Sequence, residues 1–404
     1  MMDPLDIVMN QEKVVPFFQP IFNAEQQLIV GYEVLAHFPT KEGMVSLQPF
    51  FSDPTVPVEY KWAVTEVVYQ KACQKFKSSA QEGLLFLNVS TDVILSLDVH
   101  ERMIELFQEL GGDEFLQHLV LEFSTIFDYD IENIKRLFQY FRSYNIKLAI
   151  DDVSYQNSSI NRFAFLEPEI IKVNIAVSYD QDVGHYYREV LDTMGLFARK
   201  IGSTLMFEGI SELSHLHVAW RHGGSLLQGH YLQRPYESFQ TPDCQRVKLQ
   251  EMIGSFIRFE QNKIREQLTL TREFDRRVQK VNQQKLQEDA DTLAENLAYQ
   301  FDPEVFRVYI CYSDGYQRSA NWIKNNDGKW VADENAKGKN WSFRPFFLKQ
   351  TLQMEKHRTG ILSDLYHDIE TNERIRTYSC PIGQGMYVYF DLAAEYVYER
   401  DWLL

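Results

Sequence analysis

Short apolar runs alternate with longer amphipathic segments from residue 17 to residue 235, and this alternation constrains the fold more than any other feature of the chain. The strand candidates are FFQPIF (17–22), LIVGYEVL (28–35), LLFLNVS (84–90), LVLEFS (119–124), KLAIDD (147–152), IIKVN (170–174), TLMFEG (204–209) and SLLQGHYL (225–232). Helix candidates between them include 59–77, 99–110, 131–143 and 186–201. This order is typical of repeated β/α units.

A polar residue stands at or next to the end of nearly every run. These residues are Glu33, Asn88, Glu122, Asp151 with Asp152, Lys172, Glu208 and Gln228. In a closed parallel barrel all such ends open onto one rim, which is where barrel enzymes place their chemistry. We therefore predict an α/β fold with a TIM-like (β/α)8 barrel. An open doubly wound sheet is the alternative, but it normally starts with a phosphate-binding glycine loop, which this sequence lacks.

The predicted rim offers oxygen ligands for a metal. Glu33, Asn88, Glu122, Asp151 and Asp152 come without a cluster of His or Cys, and hard ligands of this kind select Mg²⁺, Mn²⁺ or Ca²⁺ over zinc. Two ions about 4 Å apart can activate a water and stabilise the departing oxygen of a phosphodiester. Taken alone, the paired acids at 151–152 also fit an ordinary turn after a strand.

Lys172 and Glu208 are the candidate catalytic residues. A lysine among acids is a strongly paired cation, suited to holding an attacking water or to countering charge on a phosphorane. Glu208 is the natural acceptor of the proton of that water. A plain salt bridge is the alternative for Lys172, and an acid at a helix N-terminus is the alternative for Glu208. The catalytic roles depend on both residues sharing one rim.

Charge limits the partners of the barrel segment. Residues 1–243 carry 18 basic and 33 acidic side chains, whereas the rest of the chain is nearly balanced, with 23 and 24. Such a surface repels a long polyphosphate, which argues against an extended nucleic acid as partner. A small anionic ligand can still bind where metal ions neutralise the pocket.

The pattern changes after Pro242. Residues 244–301 contain one glycine, no proline and apolar residues mostly three or four positions apart, which indicates amphipathic helix. A continuous helix of that length would span on the order of 85 Å, so we expect it to be broken or packed against a partner. Short β-like runs follow Pro303. We predict a barrel at 1–243, a helical linker at 244–301 and an α+β domain at 302–404. The aromatic residues of the α+β domain at 302–404 are expected to form its core, and the alternative is that they line a ligand cavity.

The chain carries no sign of a membrane or export segment. No apolar stretch reaches membrane-spanning length, and the first residues lack a basic head and an apolar core. The cysteines are too scattered for a metal knot or a redox pair, and we expect them to be reduced packing residues: Cys73, Cys244, Cys311 and Cys380. These features favour a cytoplasmic protein.

The ordered motifs FFQPIF, GYEVLAHF, LNVS, LEFS, IDDVS, IKVN, FEGIS and LLQGHYLQRP resemble those of the EAL-domain family of cyclic di-GMP phosphodiesterases over roughly residues 3–240. Glu33-Val34-Leu35 stands where the family has Glu-Ala-Leu. The resemblance implies metal ligation by Glu33, Asn88, Glu122, Asp151 and Asp152, and a water-activating role for Lys172 and Glu208. It also implies contact of Gln19 and Leu35 with the nucleotide and a supporting role for Gln228.

The chain departs from the family pattern at several positions. His37 replaces an arginine that grips a phosphate, which weakens one bidentate anchor. Thr125 and Ser211 stand in place of glutamates, and Asn174 in place of an aspartate. The loop at 153–159 reads VSYQNSS and lacks the glycines of the family, which changes the backbone conformations open to it. We expect these changes to affect turnover more than binding.

Three functions remain open on this basis. The first is a cyclic di-GMP phosphodiesterase that forms the linear dinucleotide pGpG. The second is a receptor that binds cyclic di-GMP, barely hydrolyses it and signals through its C-terminal domain, which resembles PAS-like or Cache-like sensory domains at 314–322 and 361–366. The third is an unrelated metal-dependent barrel enzyme acting on a sugar or an enolate. The long apolar-striped helix and the sensory-type domain also predict a homodimer.

Overall fold

The computed structural model describes residues 3–403, except 80–81, 125, 127–128, 154–159, 176–183, 285–288, 326 and 345–346. The chain divides into two compact units, Met1–Gly254 and Ser255–Leu404. Among the described residues, no helix combines the length and the apolar character that a membrane crossing requires.

The first unit contains short strands and helices in alternation. Its strands are β1 Val15–Asn23, β2 Ile29–Thr40, β3 Gly43–Ser46, β4 Leu84–Val89, β5 Leu119–Phe123, β6 Lys147–Val153, β7 Ile170–Asn174, β8 Thr204–Glu208 and β9 Leu226–Leu227. Its helices are α1 Pro4–Met9, α2 Gln48–Ser52, α3 Val58–Ser78, α4 Thr91–Leu97, α5 His100–Gly111, α6 Asp113–Leu116, α7 Ile131–Ser143, α8 Ile160–Leu166, α9 Gly184–Ile201 and α10 Leu213–Arg221, with a 3-10 turn at Gln11–Lys13. The four predicted helices are confirmed within two residues at each end.

The strands close into a barrel, which confirms the predicted fold class. Their order is β1-β9-β8-β7-β6-β5-β4-β2, and β1 also pairs with β2. The expectation of a wholly parallel barrel is wrong for β1, which runs antiparallel to both neighbours. Only five residues, 24–28, join β1 to β2. A connection that short reverses the chain direction, whereas a parallel crossover needs a dozen or more residues.

An apolar layer fills the barrel interior. It is formed by Ile21, Phe86, Val120, Ala149, Ile170, Met206 and Leu226, one side chain from each of seven strands. On β2 the corresponding place is taken by Gly31, where a Cβ atom would lie 2.7 Å from the Leu84 carbonyl oxygen and 3.0 Å from the Phe86 ring. The glycine therefore makes room for the Phe86 ring in this layer.

Helix α7 illustrates how the sequence sets the outer elements. The Asp130 carboxylate caps its N-terminus by accepting a hydrogen bond from the Glu132 backbone N–H at 3.2 Å. Ile134, Leu137, Phe138 and Phe141 are buried, at the spacing of one helical face. The helix consequently packs one side onto the barrel wall.

The second unit is built on an antiparallel sheet. Its strands are β10 Val305–Tyr312, β11 Asn321–Lys324, β12 Trp330–Asp333, β13 Ile361–Leu362, β14 Tyr366–His367, β15 Arg374–Ile375, β16 Thr377–Gly383 and β17 Met386–Leu392. The sheet order is β12-β11-β10-β17-β16-β13, and β14 and β15 form a separate pair. The helical elements are α12 Ala290–Gln300, α13 Phe347–His357, α14 Ala394–Tyr398 and 3-10 turns at Glu334–Ala336 and Asp401–Leu403, and α11 Arg246–Gln284 spans the division between the units.

The two faces of this sheet have separate cores. Val308 on β10 and Phe390 on β17 pack with Phe274 of α11 and Leu297 of α12. On the opposite face, the alternate residues Tyr309, Cys311, Tyr387 and Tyr389 pack with Phe347 and Met354 of α13. Since successive side chains of a strand point to opposite faces, β10 and β17 each contribute to both cores.

All four cysteines are free thiols, as expected. Cys73, Cys311 and Cys380 are buried and serve in packing. Cys244 is exposed, so the expectation of a packing role is wrong there. It lies just beyond the barrel and before α11, where the chain returns to the surface.

Candidate functional site

The polar rim residues occupy the layer directly above the apolar floor of the barrel. Six of them lie two residues along the chain from a floor residue, and side chains two apart in extended backbone lie on the same face. The pairs are Phe86 and Asn88, Val120 and Glu122, Ala149 and Asp151, Ile170 and Lys172, Met206 and Glu208, and Leu226 and Gln228. The strand register thus brings these six residues to one mouth of the barrel.

Lys172 stands at the centre of this layer. Its ammonium nitrogen lies 2.8 Å from Glu122 Oε1 and 3.0 Å from Asp151 Oδ1. The distances to Glu208 Oε2 and Glu33 Oε2 are 3.2 and 3.4 Å. The side chain is 0% exposed. Burial alone would lower the pKa of Lys172, but the surrounding carboxylate charges hold it well above its usual range, so the ammonium stays protonated.

Two amides hold Glu33 in its ionised form. Asn88 Nδ2 donates to Glu33 Oε1 at 2.9 Å, and Gln228 Nε2 donates to Glu33 Oε2 at 2.7 Å. Burial raises the pKa of Glu33, but the Lys172 charge and these two hydrogen bonds outweigh it and lower the pKa overall. The amides also fix the direction in which the carboxylate points.

Burial and mutual repulsion favour the protonated forms of two of the other acids, Glu122 and Glu208. Burial, together with the nearby charge of Glu33, raises the pKa of Glu122 well above its usual range. Burial and the charge of Asp151 raise the pKa of Glu208 to about 8, against the opposing effect of Lys172. Among the described residues four carboxylates face one ammonium, so ionising all four leaves net negative charge, which a further cation would stabilise.

The donor set fits a divalent cation that binds oxygen. Glu122 Oε2 and Gln228 Oε1 are buried and accept no hydrogen bond within the part of the chain that the structure describes. No three His, Cys, Asp or Glu side chains of that part are already arranged as a metal site. The Lys172 ammonium, and not a set of metal-ligand distances, determines how these acids are arranged. Free buried oxygens and excess negative charge match a hard cation in both chemistry and sign.

The remaining predicted residues lie around this centre. Gln19 of β1 stands opposite Glu33 in the antiparallel register and is 8% exposed. Leu35 follows Glu33 by two residues on the same face and is half-buried. The Asp152 backbone belongs to β6, but its side chain lies outside the described residues, as do Thr125 and the loop residues 154–159.

His37 is engaged with its own strand and with β1. Its Nδ1 lies 3.1 Å from the Leu35 carbonyl oxygen, and its ring centroid lies 4.1 Å from that of Phe17. An imidazole held this way does not offer the fork of parallel donors that a guanidinium gives to a phosphate.

One residue that positions the site was not predicted from the sequence. The buried Tyr69 of α3 donates its hydroxyl to the Asn88 carbonyl oxygen at 2.7 Å and so fixes the end of β4. The sequence signal was weak, because Tyr69 reads as one more apolar residue on the inner face of an amphipathic helix. A buried tyrosine hydroxyl nevertheless needs a partner.

Family models match both parts of the chain. The EAL domain model matches residues 5–235. The model described as an EAL-domain associated signalling protein domain matches residues 239–404.

Individual relatives agree with these matches. The uncharacterised EAL-domain containing protein YkuI of Bacillus subtilis is 36% identical over 410 residues and covers both chains completely. The crystal structure of YkuI in complex with the substrate c-di-GMP and calcium superposes with a TM-score of 0.93 at 35% identity, again over all of both chains. The probable cyclic di-GMP phosphodiesterase PdeD of Escherichia coli is 24% identical over 244 residues, which is 57% of this chain and 43% of PdeD.

Proposed function

Because the chain belongs to the EAL domain family, we propose that it binds cyclic di-GMP with a divalent cation at the barrel mouth and hydrolyses it to linear pGpG. The observation that carries this proposal is the set of four carboxylates around the Lys172 ammonium, one of which, Glu33, is held by two amides. YkuI, similar over its whole length, binds c-di-GMP and calcium in its crystal structure.

The cation would be held by side-chain oxygens of the rim: Glu33, Asn88, Glu122, Asp151 and Asp152. Mg²⁺ or Mn²⁺ suits hydrolysis, and Ca²⁺ would bind the same oxygens without supporting turnover. When bound, such an ion lowers the pKa of a water and stabilises negative charge on a phosphodiester.

The protein side chains supply the rest of the chemistry. Lys172, kept protonated by its four neighbours, donates a hydrogen bond to the attacking water or to a phosphate oxygen. Glu208 in its ionised form accepts the proton of that water, and because its pKa is raised to about 8 it holds the proton more readily than an ordinary carboxylate does. Gln19 and Leu35 contact the nucleotide from β1 and β2, and Gln228 keeps Glu33 oriented.

The second candidate function is a receptor that binds cyclic di-GMP with little turnover and signals through its C-terminal domain. The geometry of His37 favours it, since the imidazole is already turned toward Leu35 and Phe17. Loss of a bidentate phosphate anchor reduces the precision with which the scissile bond is held. Misplacement by about 1 Å can cost on the order of a hundredfold in rate while leaving binding largely intact.

Two measurements separate the candidates. Calorimetric titration with cyclic di-GMP in the presence of Ca²⁺ tests binding, and chromatography after incubation with Mg²⁺ or Mn²⁺ tests for pGpG. The phosphodiesterase predicts both signals, and Lys172→Met should abolish the second. Lys61→Met is the matched control, because Lys61 of α3 is also buried but, among the residues that the structure describes, forms an ion pair only with Asp92, at 3.2 Å. Affinity without product at high enzyme leaves only the receptor, and absence of affinity ends both proposals.

A homodimer is part of the same proposal. Ile257, Ile264 and Leu268 of α11 are seven and four residues apart, which places them on one face, and they are 42%, 54% and 52% exposed. A second copy would cover this stripe. Light scattering at micromolar concentration should report a dimer, and Ile264→Lys should weaken it, whereas Glu266→Lys should not. A monomeric wild-type chain contradicts the proposal.

The predicted division at 243 and 301 and the cytoplasmic location also remain proposals. The first rests on the change of pattern after Pro242. The second is supported by four cysteines that are all thiols.

A further inference from the structure

The end of β4 carries a proposed cation ligand that is exposed to solvent. Asn88 opens onto the barrel mouth between the buried residues Leu87 and Val89. Its amide nitrogen donates to Glu33 Oε1 at 2.9 Å, so its amide oxygen is the atom that a cation would take. An exposed side chain keeps a fixed place only where its backbone is fixed. The position of Asn88 therefore depends on what holds the last residues of β4.

The backbone groups of β4 alternate between its two neighbouring strands. Leu85 donates its N–H to the His118 carbonyl oxygen, on the β5 side. In a strand the N–H and C=O of one residue face one neighbour and those of the next residue face the other, so the Asn88 carbonyl faces the β2 side. The β2–β4 ladder ends at Glu33 opposite Phe86, before it reaches this carbonyl.

Tyr69 of α3 supplies the partner that β2 no longer provides. Its hydroxyl donates to the Asn88 carbonyl oxygen at 2.7 Å, and its side chain is buried beside Phe107, with 5.5 Å between the ring centroids. Burial raises the pKa of Tyr69, so the hydroxyl stays protonated and remains a donor. The backbone at Asn88 is thereby tied to the inner face of a long helix.

Thr91 holds the other side of the same strand end. The β4–β5 ladder ends at Val89 opposite Phe123. One further step of a parallel ladder would bring the N–H of Thr91 to the Ser124 carbonyl oxygen, but α4 begins at Thr91. The hydroxyl of this fully buried threonine donates to the Ser124 carbonyl oxygen at 2.7 Å instead. A side chain thus extends the connection between the ends of β4 and β5.

The two hydrogen bonds bear on the spacing of the proposed ligands. Asn88 lies opposite Glu122 in the β4–β5 register and donates to Glu33. Without the Tyr69 bond Asn88 can shift relative to Glu33, and without the Thr91 bond the ends of β4 and β5 can separate. Mg²⁺ requires nearly octahedral ligands at about 2.0–2.1 Å, whereas Ca²⁺ accepts about 2.3–2.6 Å and variable geometry. A rim with looser spacing therefore loses Mg²⁺ before it loses Ca²⁺.

We propose that Tyr69 and Thr91 are positioning residues that hold Asn88 and Glu122 at the spacing Mg²⁺ requires, and that they thereby raise the affinity of the site for Mg²⁺ relative to Ca²⁺. The inference rests on the proposed cation site at the barrel mouth. Both residues act through the backbone of the strand ends, and neither is assigned as a ligand.

Calorimetric titration of the full chain with Ca²⁺, and with Mg²⁺ in competition against Ca²⁺, measures both affinities in the same protein. Loss of a group that orients a metal ligand typically costs about 10- to 100-fold in affinity. We expect Tyr69→Phe and Thr91→Val to weaken Mg²⁺ binding by about tenfold and Ca²⁺ binding by about threefold or less. Thr91→Ser keeps the hydroxyl and should keep the wild-type ratio of the two affinities.

Two variants control for the loss of a hydroxyl by itself. Thr65→Val removes a half-buried hydroxyl that donates to the Lys61 carbonyl oxygen within α3 at 2.8 Å. Tyr378→Phe removes a hydroxyl of a buried tyrosine that donates to Asp275 Oδ1 at 2.6 Å in the C-terminal unit. Both should leave the ratio of Mg²⁺ to Ca²⁺ affinity unchanged. Because each ratio is taken within one variant, a general loss of stability does not imitate the expected effect.

The outcomes distinguish this inference from the proposed function. A lower ratio in Tyr69→Phe and Thr91→Val, with the wild-type ratio in Thr91→Ser, supports the positioning role. If the first two variants weaken both cations equally, or weaken neither, the inference is wrong while the proposed cation site stands. If the wild type binds neither cation, the proposed site itself fails and the inference fails with it.

Discussion

Replacing Lys172 by methionine removes the cation that four rim carboxylates contact while keeping most of the length of the side chain. Lys172 is fully buried and contacts its partners at 2.8 to 3.4 Å. Removing one member of a buried ion pair typically costs about 3–5 kcal/mol, because the remaining charge is left uncompensated. We expect a loss of that size in metal-free protein, near the upper end, since several acids lose the same partner.

Hydrogen exchange read by mass spectrometry in the presence of a chelator measures this loss where it arises. Amides of β5 and β7 should exchange roughly two to three and a half orders of magnitude faster in Lys172→Met, at about 1.4 kcal/mol per factor of ten. Lys61→Met should cost about 1 kcal/mol or less, because its partner Asp92 is 37% exposed and solvent screens the pair.

The pH dependence has a defined sign. The raised pKa of Lys172 means that its stabilisation is fully present below the unfolded value near 10.4, so the lysine itself does not titrate between pH 6 and 9. Glu208, with a pKa of about 8, becomes ionised over that window and then depends more on the ammonium. The cost of Lys172→Met should therefore grow from pH 6 to pH 9. Equal exchange in wild type and variant, or a cost no larger than that of Lys61→Met, would refute the claim that Lys172 is the shared counter-charge of the rim carboxylates.

Three further predictions follow from single contacts. Gln228→Met removes the 2.7 Å hydrogen bond to Glu33 and should weaken Ca²⁺ binding by about 10- to 100-fold in calorimetry, and an unchanged affinity counts against its orienting role. Arg307→Met leaves Asp391 buried without its cation and should destabilise the C-terminal unit by about 3–5 kcal/mol, read from exchange of β10 and β17; slow exchange retained in both strands argues otherwise. Gly31→Ala forces a Cβ against a backbone carbonyl at 2.7 Å and should lower the stability of the barrel strands by about 1–3 kcal/mol. A variant as stable as the wild type would show that the strand shifts to accept the methyl group.

The strands and the chemistry of their ends were accessible from the sequence. Runs such as 170–174 and 119–124 match β7 and β5 within a residue, because buried strands bounded by turns leave a clear pattern. The family resemblance is confirmed by the match of the EAL domain model. The polar residue at each strand end was visible as a break in hydropathy.

The direction of β1 was not accessible, because a period of two residues reads the same in either direction of the chain. Gln19 therefore precedes its floor residue Ile21, whereas the other rim residues follow theirs. The sequence predicted Lys172 among the rim acids, but spacing along a strand could not tell that its ammonium contacts four carboxylates at 2.8 to 3.4 Å.

The segment after Pro242 shows a third limit. Its apolar spacing predicted helix correctly, and the structure has α11 at Arg246–Gln284 and α12 at Ala290–Gln300. The sequence could not tell that Leu293 and Leu297 pack into the core of the C-terminal unit, because an apolar helical face does not reveal what covers it.

The two-residue step between floor and rim ties the chemistry of the barrel to the integrity of each strand. Deleting a single residue inside β5 or β8 would turn its acid toward the surrounding helices and an apolar side chain toward the mouth. An insertion or deletion within a barrel strand is consequently more damaging than most substitutions. Length variation between relatives should be confined to the connections between the strands.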